Sequence, residues 1–359
     1  MINPGIIHPE LLYSYTALFI VIILITLIMT AVLLRKRRKK FQVEQQVQLV
    51  FDEWLSQLLM EDLPNDTSFQ TPEWLVHAPK NHIARQYAIG QLISIHKNLI
   101  GLASRNIIWL YEKMELKNDS IAKFRSRSWH IKARGIYELY MMGQRDMQDA
   151  ISQHTNHSNA YVRMEAQTAV LAFAGFEGLV FLDTLTRPLN DWQQLKLLEQ
   201  LAPLDPGNLD HLSTWLSSTN PDVVLFALKL TGQYQQMQVN EDVILLLKDP
   251  REKLREQAIK SLVRTGDENT PSILVQQYAG ETPANRKAIL KSLEYTAADN
   301  ELPFLLELLD NGDPADKLQA ARIIMKCCTK GPALLQERSA QPGDQYQQLF
   351  FHIKSELAR

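Results

Sequence analysis

Hydrophobic positions follow two different patterns along this chain. Leu11 to Leu34 is an unbroken run of 24 residues without a charged side chain. A helix of that length spans about 36 Å, enough to cross a hydrocarbon core of about 30 Å. From about residue 130 onward, apolar residues instead recur in short, regularly spaced groups. The chain is therefore predicted to have a transmembrane helix over 11–34 and a separate helical domain after it.

Six consecutive cations follow the apolar run, and no Lys or Arg precedes them: Arg35, Lys36, Arg37, Arg38, Lys39 and Lys40. The positive-inside rule places such a cluster on the cytoplasmic side. Residues 1–10 are then a short extracytoplasmic N-terminus, and the cluster at 35–40 contacts the membrane surface. A cleaved signal peptide is the alternative, but it would carry its cations before a shorter apolar run.

A period near 31 residues recurs in the later part of the chain. Its register is anchored at Ile131, Val162, Gln193, Val223, Leu254, Asn285 and Lys317. Four residues after the anchors stand Gly135, Ala166, Leu197, Ala227, Ala258, Ile289 and Ala321. Eight residues after them stand Leu139, Val170, Leu201, Thr231, Leu262, Leu293 and Met325. Positions i, i+4 and i+8 lie along one helix face, so each period contains a helix that buries this face.

Helix-start signals and a second apolar segment complete each period. The predicted starts are Asn159, Asp191, Asn220-Pro221, Asp249-Pro250, Pro283 and Asp313-Pro314. The second segments are 179–185, 209–216, 243–247, 273–278 and 302–309. Each period is thus a helical hairpin that must stack on its neighbours to bury its apolar face. The fold predicted for 126–335 is an all-α, right-handed solenoid of about six to seven helical hairpins.

This pattern resembles the HEAT-like repeat family, in the short PBS-lyase-type form of bacterial proteins. Asp249 to Leu262 is the best match, and Asn159 to Val170 is the next. The family arginine matches at Arg163, Arg255 and Arg286 and is replaced by Val224 and Leu318 in two other periods. The resemblance implies a HEAT-like or armadillo-type superhelix over about 130–335, in which these arginines make structural contacts. It also implies that the membrane is a bacterial inner membrane.

Residues 41–125 look helical but do not follow the period. An apolar stripe at helical spacing occupies Val43, Val47, Val50, Phe51, Trp54, Leu55, Leu58 and Leu59. A Pro-containing linker spans 64–79, and two further helices are predicted at about 83–98 and 102–115. We interpret 41–125 as the N-terminal cap of the repeat array and 336–359 as a C-terminal closing helix.

Charge and cysteine content narrow the function. The chain carries 38 Lys and Arg against 40 Asp and Glu, and six of these cations lie in the 35–40 cluster, so the remainder is mildly acidic. A general nucleic-acid binder needs the opposite balance, and nucleic acid is not an expected partner. Cys327 and Cys328 are adjacent in an apolar helix, which favours core residues over the alternative of a vicinal redox pair.

One cationic group stands out after the membrane segment. Lys123, Arg127, His130 and Arg134 are spaced by four, three and four residues. On a single helix they would share a face, and that face would contact acidic lipid, phosphate or an acidic partner. The alternative is a solvated face balanced by nearby acids.

Other candidate features favour structural roles. His154 and His157 could supply two metal ligands, but no Cys or acidic cluster completes such a site, so a loop or capping role is favoured. Trp129, Trp192 and Trp215 stand at core-like positions of the repeat helices, with the alternative that one of them lines a groove. No phosphate-binding loop, nucleophile elbow or metal motif occurs in the sequence, so no catalytic, cofactor-binding or metal residue is predicted.

The sequence favours a membrane-anchored cytoplasmic scaffold or adaptor, a single-pass inner-membrane protein whose repeats bind a protein partner. The natural partner would be a membrane-embedded enzyme or complex. One alternative is an enzyme-associated role, because some short HEAT-like repeat proteins are lyases or chaperones that attach bilin chromophores. A signalling sensor is a third hypothesis, although about ten external residues are few for sensing.

Overall fold

The computed structural model describes residues 9–60, 82–207, 209–340 and 344–357. These residues form helices, turns and loops, with no strand among them, so the predicted all-α class is confirmed. The chain divides into a first unit, Met1–Met147, and a second unit, Gln148–Arg359. Residues 1–8 of the predicted N-terminus and the predicted linker at 64–79 lie outside the described residues.

The chain begins with one long helix, α1, from Pro9 to Met60. Its segment Tyr13–Arg38 has a mean hydropathy of 3.2 and is entirely exposed in the structure. The hydroxyls of Thr16, Thr26 and Thr30 each donate a hydrogen bond to a backbone carbonyl one turn earlier. Such internal satisfaction suits a helix in an apolar medium. This segment is compatible with a membrane anchor or a signal sequence.

A second segment, Ala160–Thr184, is also long and apolar enough to cross a membrane, with a mean hydropathy of 1.3. It is 61% buried, and it comprises two elements that pack on each other in the repeat core. Apolar composition there reflects packing inside the protein rather than contact with lipid.

The first unit continues with four helices packed around the end of α1. They are α2 (His82–His96), α3 (Leu102–Lys113), α4 (Leu116–Phe124) and α5 (Trp129–Met141). From the predicted apolar stripe, Phe51 and Leu55 are buried in the core of this unit. The side chains of Val43, Val47, Val50, Leu58 and Leu59 lie outside the described part of the chain.

The second unit contains the repeats. Its helices are α6 (Gln148–Ser152), α7 (Ala160–Ala174), α8 (Asp191–Leu201), α9 (Leu212–Leu216), α10 (Pro221–Gln233), α11 (Asn240–Leu246), α12 (Glu252–Thr265), α13 (Thr270–Tyr278), α14 (Pro283–Thr296), α15 (Leu302–Asn311), α16 (Pro314–Cys327), α17 (Gly331–Ser339) and α18 (Asp344–Leu357). A 3₁₀ helix, Gly175–Thr184, takes the place of a second helix after α7.

The second unit is a stack of helical hairpins. The first helices pack side by side, α10 on α12, α12 on α14 and α14 on α16, and each intervening second helix packs on the next first helix. Buried apolar residues form one continuous cluster from Leu171 to Ile353. This is the α-solenoid arrangement predicted from the period.

The predicted buried face is largely confirmed. All seven residues four positions after the anchors are buried. In the first unit, a Cβ at Gly135 would overlap the backbone of Phe124, so a small residue is needed where α4 and α5 meet. The face is less buried at its ends, where Ile131 is 38% exposed and Lys317 is half-buried.

Of the six predicted helix starts, three are confirmed as side-chain caps, Pro283 begins α14 as predicted, and two caps are wrong. The side chains of Asn159, Asn220 and Asp313 accept hydrogen bonds from the first amides of α7, α10 and α16. At α8 the cap is Asn190, one residue before Asp191, because Asn190 forms a capping box with Gln193. Asp249 accepts from the Arg251 amide, and α12 begins after Arg251 without a side-chain cap.

The family arginines make structural contacts. Arg255 of α12 forms two hydrogen bonds to the carboxylate of Glu281, at 2.8 and 3.0 Å, and a third to the carbonyl of Asp249. Arg163 donates to the carbonyls of His157 and Pro188. Both arginines therefore connect the loop before their own helix with the loop before the next first helix.

Candidate partner-binding site

The cationic group Lys123, Arg127, His130 and Arg134 does not lie on one helix. Lys123 lies near the end of α4, Arg127 lies in the following loop, and His130 and Arg134 lie on α5. The prediction of one shared face was wrong because Ser128 begins a new helix, so the helical spacing is interrupted.

Two of these cations are paired inside the first unit. The ammonium group of Lys123 donates to both oxygens of the Glu138 carboxylate, at 2.5 and 2.6 Å. Arg134 donates to the same carboxylate at 2.9 Å, and Ser120 donates at 2.8 Å. Burial lowers the pKa of Lys123, and the adjacent Glu138 carboxylate opposes that shift. Lys123 and Glu138 are thus parts of the folded core.

Arg127 and His130 remain at the surface. Arg127 is exposed and makes no ion pair with any residue of the described ranges. The imidazole of His130 lies 2.9 Å from the Ser128 hydroxyl and forms an edge contact with Trp129. Trp129 is 46% exposed and Trp192 is 66% exposed, so their predicted core positions were wrong. Arg134 is also exposed, but its guanidinium is paired with Glu138, so Arg127 and His130 are the exposed members without a described carboxylate partner.

The predicted membrane-surface cations lie inside α1. Arg35, Lys36, Arg37 and Arg38 are exposed within about one turn of the helix, directly after the apolar run 11–34. The side chains of Lys39 and Lys40 lie outside the described part of the chain. A continuous helix distributes these cations around its circumference, so the four described guanidinium and ammonium groups surround the end of the apolar segment.

The second unit contains an open cleft of about 870 Å³. Its lining comes from the end of α7, the 3₁₀ helix 175–184, residues 204–207 and 209–211, and α9. The apolar part consists of Phe173, Phe176, Val180, Leu204, Leu209 and Trp215. Three exposed carboxylates, Glu177, Asp205 and Asp210, and the imidazole of His211 also line it, and no Lys or Arg is found among its described residues. We call this the acidic cleft.

The local sequence explains why the chain opens here. The connection 202–211 between α8 and α9 is longer than the corresponding connections 266–269 and 297–301. Gly207 has a positive φ of 52°, and its amide donates to the Asp205 carboxylate at 3.2 Å. Gly175, with φ at 60°, ends α7, and a Cβ there would lie 3.2 Å from Leu204. Both glycines adopt a conformation that side chains with a Cβ disfavour.

One wall of the acidic cleft is held by a hydrogen-bonded trio. The indole of Trp215 donates to one oxygen of Asp183 at 2.6 Å, and the Nδ1 of His211 lies 3.4 Å from the other. The His211 ring stacks on Trp215 with centroids 5.9 Å apart. Asp183 belongs to the 3₁₀ helix, so the trio joins α9 to that helix and gives the wall a fixed shape. Trp215 is buried, as predicted, and its edge lines the cleft.

Charge in the second unit is segregated by helix. The second elements of the hairpins, 175–184 and α9, α11, α13 and α15, contain no Lys or Arg over their described residues. They carry Glu177, Asp183, Glu241, Asp242, Glu307 and Asp310. Lysines occur instead on first helices such as α8, α10, α12, α14 and α16. The side formed by second elements is therefore negative around the acidic cleft.

A smaller groove of about 550 Å³ on the first helices differs from the acidic cleft in its charge. Its lining contains both signs of charge, and its lysines are partly compensated: Lys229 lies 3.3 Å from Asp191, and Lys260 lies 2.6 Å from Glu256. The acidic cleft offers no such internal compensation within the described residues.

The His and Cys side chains singled out in the sequence make structural contacts or are protonated thiols. Over the described residues, no group of three or more His, Cys, Asp or Glu is placed to hold a metal ion. His157 accepts a hydrogen bond from the amide of Asn159, a loop contact. Burial raises the pKa of Cys327, and it raises that of Cys328 to about 11, which keeps both thiols protonated near neutral pH.

Sequence reasoning missed the acidic cleft. The residues that form it come from two hairpins and belong to no short motif. The available signal was compositional, namely the absence of Lys and Arg from the second apolar segments, together with the Pro- and Gly-containing stretch Pro203 to Gly207.

The chain is similar to one repeat family and to solved structures of low sequence identity. No curated protein sequence matches the chain. An engineered protein of known structure is 13% identical, with a TM-score of 0.37, over 80% of this chain and 98% of its own. The complex of CpcE and CpcF of phycocyanin lyase from Nostoc sp. PCC7120 is 15% identical, with a TM-score of 0.25, over 82% of this chain and 98% of its own. The family of HEAT repeats matches residues 209–294, which lie in the stacked hairpins of the second unit.

Proposed function

We propose that this protein is a membrane-anchored cytoplasmic scaffold or adaptor that holds a protein partner at the inner face of a bacterial inner membrane. The observation that carries the proposal is α1, in which a fully exposed apolar segment, Tyr13–Arg38, continues without a break into the core of the first unit. The cations at the end of this segment support a cytoplasmic location for the remainder of the chain.

The repeats supply the partner-binding surface in this proposal. Stacked hairpins present an extended surface of helices and loops, and HEAT repeats generally mediate protein–protein interaction. The anchor raises the effective concentration of this surface near membrane-embedded clients without adding contacts. Arg127 and His130, the exposed members of the cationic group without a described carboxylate partner, are a secondary contact for acidic lipid or an acidic partner.

Membrane attachment is tested by fractionation. The full chain is expected in the membrane pellet after an alkaline wash, and a chain beginning at Phe41 is expected in the supernatant. A reporter enzyme that is active only in the cytoplasm should be active when it is fused after Arg359. Recovery of the full chain as a soluble protein, or a mature N-terminus created by cleavage after the apolar run, would contradict the anchor.

Partner binding is tested by crosslinking in native membranes, followed by purification and mass spectrometry. One stoichiometric partner is expected with the full chain, and less of it with the chain beginning at Phe41. Absence of any enriched partner would contradict the scaffold. A visible absorbance band in the purified protein would instead favour the chromophore-lyase alternative raised by the sequence.

A further inference from the structure

We propose that the acidic cleft binds a basic segment of a protein partner, in which an apolar side chain fills the cleft and flanking Lys or Arg side chains pair with Glu177, Asp205 and Asp210. This inference rests on the proposed function in one respect, that the segment belongs to the scaffold's partner. It names the chemistry of that partner and the place where it docks.

The apolar lining requires an apolar contact. Val180 is 51% exposed and Leu204 is 41% exposed, and both lie beside the aromatic rings of Phe173 and Phe176. Covering such side chains removes apolar surface from water and favours association. The volume of about 870 Å³ accommodates a large side chain together with part of its backbone.

The carboxylates at the edge of the acidic cleft determine the charge of the segment that binds there. Glu177, Asp205 and Asp210 are exposed, and none forms an ion pair with a described residue. Lys and Arg side chains complement these carboxylates, whereas acidic peptides, anionic headgroups and nucleic acid are repelled. The neighbouring second elements add negative charge and no Lys or Arg over their described residues.

The cleft is formed before the partner arrives. The hydrogen bond from Trp215 to Asp183 connects α9 with the 3₁₀ helix, and the Asp205–Gly207 turn fixes the opposite loop. A preformed cleft saves the ordering cost that a flexible one would impose on binding.

The test uses the full chain in phosphatidylcholine nanodiscs, which carry no net charge. The probe is a fluorescein-labelled hexapeptide, Lys-Arg-Leu-Phe-Lys-Arg, followed by fluorescence anisotropy. In the cleft variant, Glu177→Gln, Asp205→Asn and Asp210→Asn are combined; Asn at 205 keeps the oxygen that accepts from Gly207. Losing three exposed ion pairs is expected to weaken peptide binding about tenfold.

A matched control removes the same number of carboxylates from second elements outside the cleft, Glu241→Gln, Asp242→Asn and Glu307→Gln. Its effect is expected to stay below about twofold, because those charges act only at a distance. A further variant, Val180→Thr, keeps the shape and charge of the cleft and is expected to weaken binding about threefold, independently of salt.

Three results would overturn the inference. They are equal weakening by the control and the cleft variant, equal binding of a peptide with Glu in place of every Lys and Arg, and unchanged binding in the cleft variant.

Crosslinking in native membranes separates this inference from the proposed function. A partner captured equally by the wild type and the cleft variant refutes the cleft and leaves the scaffold intact. Specific peptide binding without any captured partner supports the cleft and refutes the scaffold.

Discussion

The surroundings of Lys123 and the acidic cleft differ in how their charged side chains are compensated. In the first unit, the Lys123 ammonium group is buried against the Glu138 carboxylate, which also accepts from Arg134 and Ser120. In the second unit, Glu177 and Asp210 face solvent and have no described counter-ion. A buried charge must be compensated by a counter-charge inside the fold, whereas an exposed charge is solvated by water and remains available to bind a partner.

This difference shows how a charged surface should be interpreted. A run of cations at helical spacing suggested a binding face, but half of it serves the fold. The binding chemistry lies where carboxylates are exposed beside apolar side chains and have no internal partner. The comparison predicts that substitutions in the first region change stability and that substitutions in the second change binding.

The largest effect on stability is expected from Glu138→Gln. It leaves the Lys123 ammonium group buried without a counter-charge, and breaking a buried pair from one side costs about 3–5 kcal/mol. Denaturant unfolding measures the loss, and faster amide exchange in α4 and α5 locates it. The control is Asp146→Asn, which removes an exposed pair with Lys117 and should cost less than about 1 kcal/mol. Equal effects of the two variants would refute the comparison.

A second compensated carboxylate, Glu281, predicts a dependence of stability on pH. Burial by itself would raise the pKa of Glu281, but hydrogen bonds from Arg255, Gln277 and Asn285 outweigh it and lower the pKa from 4.5 to about 2. Its contribution to stability is therefore complete above about pH 4.5 and is lost as the pH falls towards 2.

Glu281→Gln should remove this contribution. We expect a loss of about 3 kcal/mol at neutral pH and a flatter acid limb of the unfolding curve. Denaturant unfolding at a series of pH values measures both. An acid limb as steep in Glu281→Gln as in the wild type would assign the acid sensitivity to other carboxyls.

The cleft variant tests the other side of the comparison. Because Glu177, Asp205 and Asp210 have no described counter-ion, their neutralisation should change the free energy of unfolding by less than about 0.5 kcal/mol. The same variant is expected to lose peptide binding, so stability and binding separate. A destabilisation as large as that of Glu138→Gln would show that the rim carboxylates serve the fold.

The smallest effect is expected from Arg127→Gln. Arg127 is exposed and lies in the loop between α4 and α5, so the free energy of unfolding should change by less than about 0.3 kcal/mol. Binding of the cationic peptide should not change either. A marked loss of stability would mean that Arg127 belongs to the Glu138 network after all.

Much of the fold was predictable because it repeats. The same apolar and small residues return about every 31 positions, and one helix face with Ala166, Ala227 and Ala258 is buried in each period. A local pattern that recurs is informative because every copy reports the same packing environment.

The predictions failed where the environment of a residue depends on a contact with another element of the fold. The burial of Lys123 depends on Glu138, fifteen residues later in the next helix, and spacing alone does not reveal that. Ser126 and Ser128, residues typical of turns and helix starts, were the available signal for the break. The acidic cleft depends on a loop from one hairpin meeting the 3₁₀ helix of another, which no single period encodes.

The uninterrupted α1 has a mechanical consequence. A helix of 52 residues is about 78 Å long, and Phe51 and Leu55 near its end are buried in the core of the first unit. There is no hinge between the apolar segment and the core that packs around those two side chains. If the segment spans a bilayer, as proposed, a change in its tilt or rotation would also turn the first unit. Membrane thickness and curvature would then affect the orientation of that unit.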